Sequence, residues 1–328
     1  MKMYGILCAV IAIIMVVCPL TAVSLSNSGD VRQESASAET QSQTSETVIQ
    51  PEDKDTISVF MTASESVENM DMREYIIGTV AAEMPASYHI EALKAQALAA
   101  VTYAQYQKIN GDKASSGGAD ISDNSNVHQG YMTQTEMREK WGDAYDSYYE
   151  KIAQAVDAVI DRVITYDGEP IMAAYHAISY GKTESAKAVW NTDIPYLVSV
   201  DSQGDKDSPR YLSTVTVSDG ELKELMDKSN LAGDGSDIKI NSTSEAGTVM
   251  DISVCGKSMD GTEARKLFSL RSPCFSVKYE DGVYTFTVKG YGHSIGLSQY
   301  GADRYAKQGK TYEEIIKHYY TGVQIEKR

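Results

Sequence analysis

Cysteine is scarce in this 328-residue chain, and the common metal-binding patterns of cysteine and histidine are missing. Two of the 4 cysteines, Cys8 and Cys18, lie in an apolar N-terminal segment. The spacing of Cys255 and Cys274 fits a disulfide outside the cell and two free thiols equally well. No Cys-X-X-Cys or His-Glu-X-X-His pattern occurs, so the sequence indicates no structural zinc, and we expect no cofactor.

Positive charge is also in short supply. The chain carries 30 Lys and Arg residues against 46 Asp and Glu residues, a formal net charge of −16, and it has no basic stripe. Nucleic acid is excluded as a partner, because phosphate binding depends on clustered positive charge. A sugar polymer of low charge, recognised through hydrogen bonds and stacking, remains compatible with this composition.

The N-terminal region divides into an apolar and a polar segment. Residues 4–23 form an unbroken apolar run that is long enough to span a bilayer, preceded by Lys2. We expect residues 1–23 to be an uncleaved transmembrane anchor in the cell membrane rather than a cleaved signal, with the rest of the chain extracytoplasmic. Residues 24–55 are rich in Ser, Thr, Glu and Gln and predict a disordered tether.

The remaining residues, 56–328, are enough for one large domain or two small ones with a sizeable core, and we expect one domain. Helical and strand patterns alternate irregularly along them. We therefore expect an α+β fold of mixed helices and antiparallel strands, with two sub-lobes around a cleft.

Glu83 is the leading candidate for a catalytic residue. It lies between apolar neighbours at the end of a predicted helix over 71–83, which Pro85 terminates. Burial and the helix C-terminus would both raise the pKa of this carboxyl group, because both disfavour its charged form. A protonated carboxylic acid can donate a proton to the leaving group in glycosidic bond cleavage. The alternative is a partly exposed glutamate that closes an amphipathic helix.

The alanine-rich segment that follows predicts a central helix from about Ile90 to Lys108. Its apolar residues recur at three-and-four spacing, and small alanines allow close packing. Lys94 and Gln96 lie near its start, within range of whatever Glu83 faces. Lys94 is a candidate to hydrogen-bond a sugar; the alternative is a surface lysine with a buried stem.

The middle of the chain mixes helix and strand. Residues 133–159 predict one helix, and residues 163–166 predict a strand that turns at Asp167-Gly168. The returning strand, 171–176, leads into a polar loop with His176 and Ser179. A serine hydrolase is disfavoured, because no third triad member follows at a recognisable spacing. A substrate-binding loop and a structural turn both fit.

The C-terminal part contains a second strong motif. Residues 283–288 alternate as a strand and run into a glycine-rich block over 290–301, where close backbone approach is possible. This block is not a dinucleotide-binding fingerprint, since the required glycine spacing is incomplete. His293 either lines a cleft or is a structural histidine. Residues 311–320 predict a helix with acidic residues in its first turn and basic residues in its last.

Four ordered motifs resemble the stage II sporulation protein D family. They are Glu74-Tyr-Ile-Ile-Gly-Thr-Val-Ala-Ala-Glu83-Met-Pro85, Ala92-Leu-Lys-Ala-Gln-Ala97, the region from Tyr175-His176 to Pro195-Tyr-Leu197, and Gly292-His-Ser-Ile-Gly-Leu-Ser-Gln-Tyr-Gly301. The resemblance covers residues 57–326. It implies a membrane-anchored lytic transglycosylase that cleaves peptidoglycan between N-acetylmuramic acid and N-acetylglucosamine, during engulfment of the forespore, and leaves 1,6-anhydro ends.

In this resemblance Glu83 occupies the position of the family's essential glutamate. The implied partners are glycan strands of peptidoglycan, an amidase-type sporulation protein that removes stem peptides, and a membrane protein that recruits both. The residues that we expect to bind the glycan are Lys94, Gln129, Tyr175, His176, Ser179, His293 and Gln299.

The chain departs from the family pattern at three places. Val101 stands where many members carry arginine, and Ala177-Ile-Ser-Tyr-Gly181 replaces the usual Ser-Thr-Ser-Gly-Gly. Some relatives place cysteine and histidine zinc ligands before the residue equivalent to Gln129, whereas this chain has only His128 there, so we predict no zinc. Valine cannot replace the donors of arginine. Val101 and the altered loop favour an alternative function, a non-catalytic wall-binding module that enhances an amidase, whereas Glu83 and its apolar setting favour the enzyme.

Overall fold

A computed structural model describes residues 56–229, 231 and 237–328 of the chain. The expected anchor, residues 1–23, and the expected tether, residues 24–55, lie outside the described residues. In the part of the chain that is described, no helix has the length and apolar character needed to cross a membrane.

Helices provide most of the regular structure in the first half of the described chain and alternate with strands in the second. The α-helices are α1 (Met72–Glu83), α2 (Ile90–Asn110), α3 (Gln134–Trp141), α4 (Tyr145–Asp157), α5 (Ala186–Trp190), α6 (Asp219–Lys228), α7 (Gly261–Leu267), α8 (Gln299–Lys307) and α9 (Tyr312–Tyr319). Short 3₁₀ segments occur at Lys113–Ser116, Gly142–Ala144 and Gln203–Asp207.

The strands are short and form small sheets. They are β1 (Thr56–Met61), β2 (Ser66–Asp71), β3 (Ile121–Ser122), β4 (Arg162–Tyr166), β5 (Glu169–Pro170), β6 (Tyr175–His176), β7 (Leu212–Ser218), β8 (Ile238–Thr243), β9 (Val249–Val254), β10 (Lys257–Met259), β11 (Phe275–Glu280), β12 (Val283–Lys289), β13 (Leu297–Ser298) and β14 (Gln324–Lys327).

Pairing between these strands is mostly antiparallel. The three-stranded sheets have the orders β2-β1-β3, β10-β9-β8, β11-β12-β7 and β14-β4-β5. The parallel pairs are β1 with β3 and β13 with β6. The predicted α+β class with antiparallel strands is thus confirmed.

Helix α1 begins and ends where the sequence predicts. The Asp71 side chain accepts a hydrogen bond from the Glu74 backbone N–H, which caps the N-terminus. Met84 is extended, as expected for a residue before proline, so Glu83 is the last helical residue. The chain therefore turns away immediately after Glu83 and leaves its side chain at the end of the helix.

Helix α2 is the central helix of the fold, as predicted. Ten of its residues between Ala92 and Thr102 are buried, and it packs against α1, α4, α8 and α9. Alanine occupies many of these positions, so neighbouring backbones can approach closely from several sides. The helix supports α1 on one flank and α8 on another, and these two helices carry Glu83 and Gln299.

The prediction of one helix over 133–159 is wrong, because the segment forms α3 and α4 with a break between them. Gly142 ends α3 with a φ of 51° and a ψ of −127°, a backbone conformation that residues other than glycine rarely adopt. Thr133 and Glu136 form a capping box at the start of α3. Trp141 is the last residue of α3 instead of lying inside a long helix.

The predicted hairpin is present, but its second strand is shorter than expected. Asp167 and Gly168 have φ values of 51° and 84°, as a type I′ turn requires, and they join β4 to β5. Residues 171–174 form no strand. Tyr175 and His176 instead pair in parallel with β13, which brings the central motif beside the C-terminal glycine-rich block.

Two clusters of buried apolar residues lie within residues 56–328. The larger one is built around α1, α2 and α4 and includes residues of β4, α8 and α9. The smaller one involves β7, α6, β9, α7, β11 and β12, with Phe286 fully buried at its centre. Phe268 and Phe275 pack their rings against Phe286 with centroids 4.6 and 5.7 Å away.

Candidate active site

A cavity of about 1270 Å³ brings together residues that are far apart in the sequence. Its lining combines the end of α1, the segment before α3, strand β6, the start of α8 and the region from α7 to Arg271. Five of the residues predicted to bind the glycan lie in this lining together with Glu83. They are Gln129, Tyr175, His176, His293 and Gln299.

Glu83 is half-buried, and its carboxylate is held in one orientation. Its Oε1 accepts a hydrogen bond of 2.6 Å from the backbone N–H of Gly130. Burial raises the pKa of Glu83 above its ordinary value, while the hydrogen bond from Gly130 and the polar groups of the nearby Gln299 and Tyr175 partly offset this rise. The net effect is a carboxyl group that keeps its proton to a higher pH than a solvated glutamate does.

The neutral side chains around Glu83 are linked in a hydrogen-bond network. The Tyr175 hydroxyl donates to Oε1 of Gln129 at 2.9 Å, and Nε2 of Gln129 donates to the Tyr75 hydroxyl at 3.2 Å. A second hydrogen bond joins Nε2 of Gln299 to Oε1 of Gln96 at 3.4 Å. These bonds fix the rotamers of the side chains that contact Glu83. Gln96, predicted to lie near Glu83, reaches the site indirectly through Gln299.

Two histidines and a tryptophan form a second group in the cavity. The rings of His176 and His293 have centroids 5.7 Å apart, and Trp190 lies 5.5 Å from His293. Burial lowers the pKa of His176 to about 3, and burial with the nearby Arg265 charge lowers that of His293 to about 4. Both imidazoles are therefore neutral at physiological pH and act as hydrogen-bonding groups, not as cations.

Two predicted glycan-binding residues lie outside this cavity, which corrects their expected position. The Lys94 ammonium group is 2.7 Å from Oε1 of Glu91 and does not reach the side of α2 that faces Glu83. Ser179 is completely buried, and its backbone N–H donates to Oδ2 of Asp205 at 2.9 Å. The polar loop is thus anchored by Ser179, and a buried serine cannot touch a ligand in this conformation.

Val101 has a structural role in the described chain. Its side chain is completely buried in the larger apolar cluster and is not part of the cavity lining. The presence of valine at this position therefore does not imply that a contact with the glycan has been lost. Cys255 and Cys274 are both buried free thiols, which settles the question that their spacing left open.

Several residues of the site were not predicted from the sequence. Gly130 directly follows Gln129, but nothing in the sequence indicates that its backbone N–H meets Glu83. Trp190, 38% exposed, belongs to the central motif and could have been singled out as an aromatic residue beside a polar loop. Arg265 and Arg271 belong to none of the sequence motifs, so no pattern indicated that they line the cavity.

Metal binding has no evident place among the residues described. His128 lines the cavity, but no group of three or more His, Cys, Asp or Glu side chains in the described ranges is arranged to hold a metal ion. The chemically active side chains that line the cavity are a carboxyl group, amides, hydroxyl groups, phenols, imidazoles, guanidinium groups and an ammonium group.

Comparison with known proteins places these motifs in one family. The family described as stage II sporulation protein matches residues 61–166, which include Glu83 and Gln129. Stage II sporulation protein D of Bacillus subtilis is 38% identical over 269 residues, covering 82% of this chain and 78% of that protein. The protein of the same name from Bacillus amyloliquefaciens is 39% identical over the same shares.

A more distant relative has a different name. The amidase enhancer of Bacillus subtilis is 28% identical over 306 residues, covering 76% of this chain but only 40% of that protein. The two stage II sporulation proteins match at higher identity and over most of their own length. The chain belongs to the stage II sporulation protein D family.

Proposed function

We propose that this protein is a membrane-anchored lytic transglycosylase that cleaves the glycan strands of peptidoglycan during sporulation. The observation that carries the proposal is that Glu83 is the one carboxylic residue among the described residues lining the cavity. A hydrolase needs a second carboxylate to activate water or to act as nucleophile. A single carboxyl group suffices when the substrate supplies its own nucleophile.

In the first step, protonated Glu83 acts as the general acid. It donates its proton to the glycosidic oxygen that joins C1 of N-acetylmuramic acid to C4 of N-acetylglucosamine. The bond between C1 and that oxygen breaks, and the departing sugar leaves with a C4 hydroxyl group. The raised pKa of Glu83, caused by burial, favours the protonated form that this step requires.

In the second step, the carboxylate formed at Glu83 acts as the general base. It takes the proton of the C6 hydroxyl group of the same muramic residue while the C6 oxygen bonds to C1. The product is a 1,6-anhydro ring, no water is consumed, and Glu83 regains its proton. The hydrogen bond from the Gly130 N–H stabilises the carboxylate between the two steps.

The other cavity residues would bind and orient the sugar rings. Trp190 offers a partly exposed indole face, and His293 stands beside it with its ring 5.5 Å away. Amide groups of Gln129 and Gln299 line the same cavity as Glu83, where they would meet acetamido and hydroxyl groups. On this proposal the cavity is the cleft between two sub-lobes that receives the strand.

The sporulation setting suggests the partners. We propose that an amidase-type protein removes stem peptides before this chain acts, and that a membrane protein brings the two together. The apolar segment 1–23 and the polar segment 24–55 would place the enzyme on the outer side of the membrane at the end of a tether.

A second candidate function is a non-catalytic wall-binding module that enhances an amidase. The observation in its favour is the 28% identity to the amidase enhancer. A binding module has no need for a carboxyl group held by a backbone N–H in a half-buried position. Glu83 and its environment therefore support the enzyme.

Mass spectrometry of reaction products tests the proposal. Peptide-stripped glycan strands are incubated with the wild-type chain, with Glu83→Gln, and with Glu139→Gln, a matched change at an exposed residue of α3. We expect anhydromuramic ends from the wild type and Glu139→Gln, and a loss of about 10²- to 10⁴-fold for Glu83→Gln. Intact strands in every tube, with binding retained and an added amidase accelerated, would establish the wall-binding alternative.

A further inference from the structure

The cavity carries a local excess of positive charge, although the whole chain has a net charge of −16. Among the described residues that line it, Glu83 is the only acidic side chain. Four cationic side chains face it from two segments of the fold, and they are Arg210, Arg265, Lys266 and Arg271. A positively charged cavity in an acidic protein has two explanations. Either the cavity binds an anionic ligand, or the four side chains are solvated and share this region by chance.

Arg265 distinguishes these two possibilities, because it is half-buried. It lies in α7, and its Nε donates to the backbone carbonyl of Leu270 at 3.3 Å. In the described part of the chain no carboxylate lies within 4.0 Å of this guanidinium, whereas Arg73, Arg162 and Arg304 are each paired with at least one. Burial lowers the pKa of Arg265 from its ordinary value, and Tyr180 and Tyr291 offset this effect only in part, with no carboxylate contributing.

Arg271 extends the same surface. Its guanidinium lies 5.6 Å from the centroid of the Tyr291 ring, and its backbone carbonyl accepts a hydrogen bond from Gly292 N–H at 3.0 Å. The second contact ties the Arg271 loop to the glycine-rich block that carries His293. Arg265 also lies near enough to His293 to lower its pKa, so the two arginines flank the same part of the cavity.

We propose that Arg265 and Arg271 form a subsite that binds a carboxylate group of the glycan strand. Guanidinium groups match carboxylates through two parallel hydrogen bonds, and a partly desolvated guanidinium gains most from such a partner. This subsite rests on the proposed function, which makes the ligand a peptidoglycan strand. N-acetylglucosamine is neutral, so the selected sugar is the muramic residue, whose lactyl group ends in a carboxylate.

Two sources of this carboxylate differ in their chemistry. The lactyl carboxylate is free when no stem peptide is attached and becomes a neutral amide when a peptide is present. A stem peptide instead brings carboxylates of its own, farther from the sugar ring. Binding of the lactyl carboxylate would select strands without stem peptides, and binding of a stem-peptide carboxylate would select strands that carry them.

Binding measurements on a chain that cannot turn over substrate test the subsite. Fluorescently labelled tetrasaccharides are titrated into the full chain carrying Glu83→Gln, and anisotropy gives the dissociation constant. The three ligands have free lactyl carboxylates, the same groups as methylamides, or stem peptides.

The test variant adds Arg265→Gln and Arg271→Gln. The control adds Lys228→Gln and Lys278→Gln, two highly exposed lysines whose loss changes the net charge equally.

We expect one charged ligand to bind at least tenfold more tightly than the methylamide, and the double arginine variant to lose this preference. Tighter binding of the free lactyl form identifies the lactyl carboxylate, and tighter binding of the peptide form identifies the stem. Equal binding of all three ligands overturns the subsite, and so does an equal loss in the lysine control. Thermal unfolding verifies that each variant is folded. Arg265→Lys keeps the positive charge but lacks the paired donors of the guanidinium group. Its preference for the charged ligand over the methylamide should lie between those of the Glu83→Gln chain and the double arginine variant.

The outcome for the subsite is independent of the outcome for catalysis. If the wild type cleaves strands but the charged and neutral ligands bind alike, only the subsite is wrong. If the preference depends on the arginines but the wild type leaves strands intact, the subsite stands and the transglycosylase proposal is wrong.

Discussion

Gly130 positions the proposed catalytic acid, and a single methyl group at this residue would disturb it. A Cβ atom added to Gly130 would lie 3.2 Å from Oε1 of Glu83 and 3.4 Å from Cβ of Ala82. The first distance is shorter than an ordinary van der Waals contact. Since Oε1 already accepts the Gly130 N–H at 2.6 Å, the carboxylate must move by a few tenths of an ångström.

We expect Gly130→Ala to lower the rate of glycan cleavage and to leave the stability of the fold nearly unchanged. A misplacement of about 1 Å can cost about 100-fold in rate, so a few tenths of an ångström should cost about fivefold. This corresponds to about 1 kcal/mol of activation free energy. The free energy of unfolding should change by no more than about 1 kcal/mol, because alanine also restricts the unfolded chain. For a domain of this size the melting temperature then moves by no more than about 4 °C.

The rate of release of anhydromuramic ends and the melting temperature are measured on the same preparations. Gly220→Ala is the matched control, because a Cβ atom there meets nothing within 4 Å and the residue lies in α6, outside the cavity. We expect the control to keep the wild-type rate. A wild-type rate for Gly130→Ala at an unchanged melting temperature would refute the idea that the Gly130 contact sets the position of Glu83.

Two further predictions concern the pKa of the acid and the smaller apolar cluster. Glu83 must be protonated to act, so kcat/KM should fall as pH rises through its elevated pKa. Tyr175→Phe removes a hydroxyl group that lowers this pKa, so the fall should move to higher pH. Tyr103 lines the cavity without affecting the pKa of Glu83, so Tyr103→Phe should leave the profile unchanged. Coincident pH profiles for the wild type and Tyr175→Phe would contradict this. Phe286→Ala should lower the free energy of unfolding by about 3–5 kcal/mol in denaturant titration, and a loss below about 1 kcal/mol would show that the smaller cluster is not tightly packed.

Local chemistry made several parts of the fold predictable. Asp71 and Pro85 mark the two ends of α1, so the position of Glu83 at the helix end could be read from neighbouring residues. Asp167-Gly168 predicted a hairpin because few other pairs adopt two positive φ values. The break at Gly142 was missed, since a glycine inside a helical pattern is often tolerated and only the packing of α3 and α4 decides.

The arrangement of the site depended on contacts between distant segments. Lys94 and Ser179 have residue types that suit sugar binding, yet one pairs with Glu91 and the other is buried against Asp205. Sequence spacing along a helix or loop does not determine which side of it meets a ligand. For the same reason the valine at position 101 suggested a lost contact, whereas its side chain lies in the core.

The sequence by itself determined the family, the identity of the candidate acid and the helix that ends at it, because these depend on ordered motifs and on interactions within a few residues. Only the tertiary structure decided that the Gly130 N–H holds Glu83 and that Arg265 faces the cavity without a carboxylate partner in the described chain. Both features arise from segments 47 and more residues away from Glu83. Burial and charge pairing at such separations are set by packing, which no local pattern encodes.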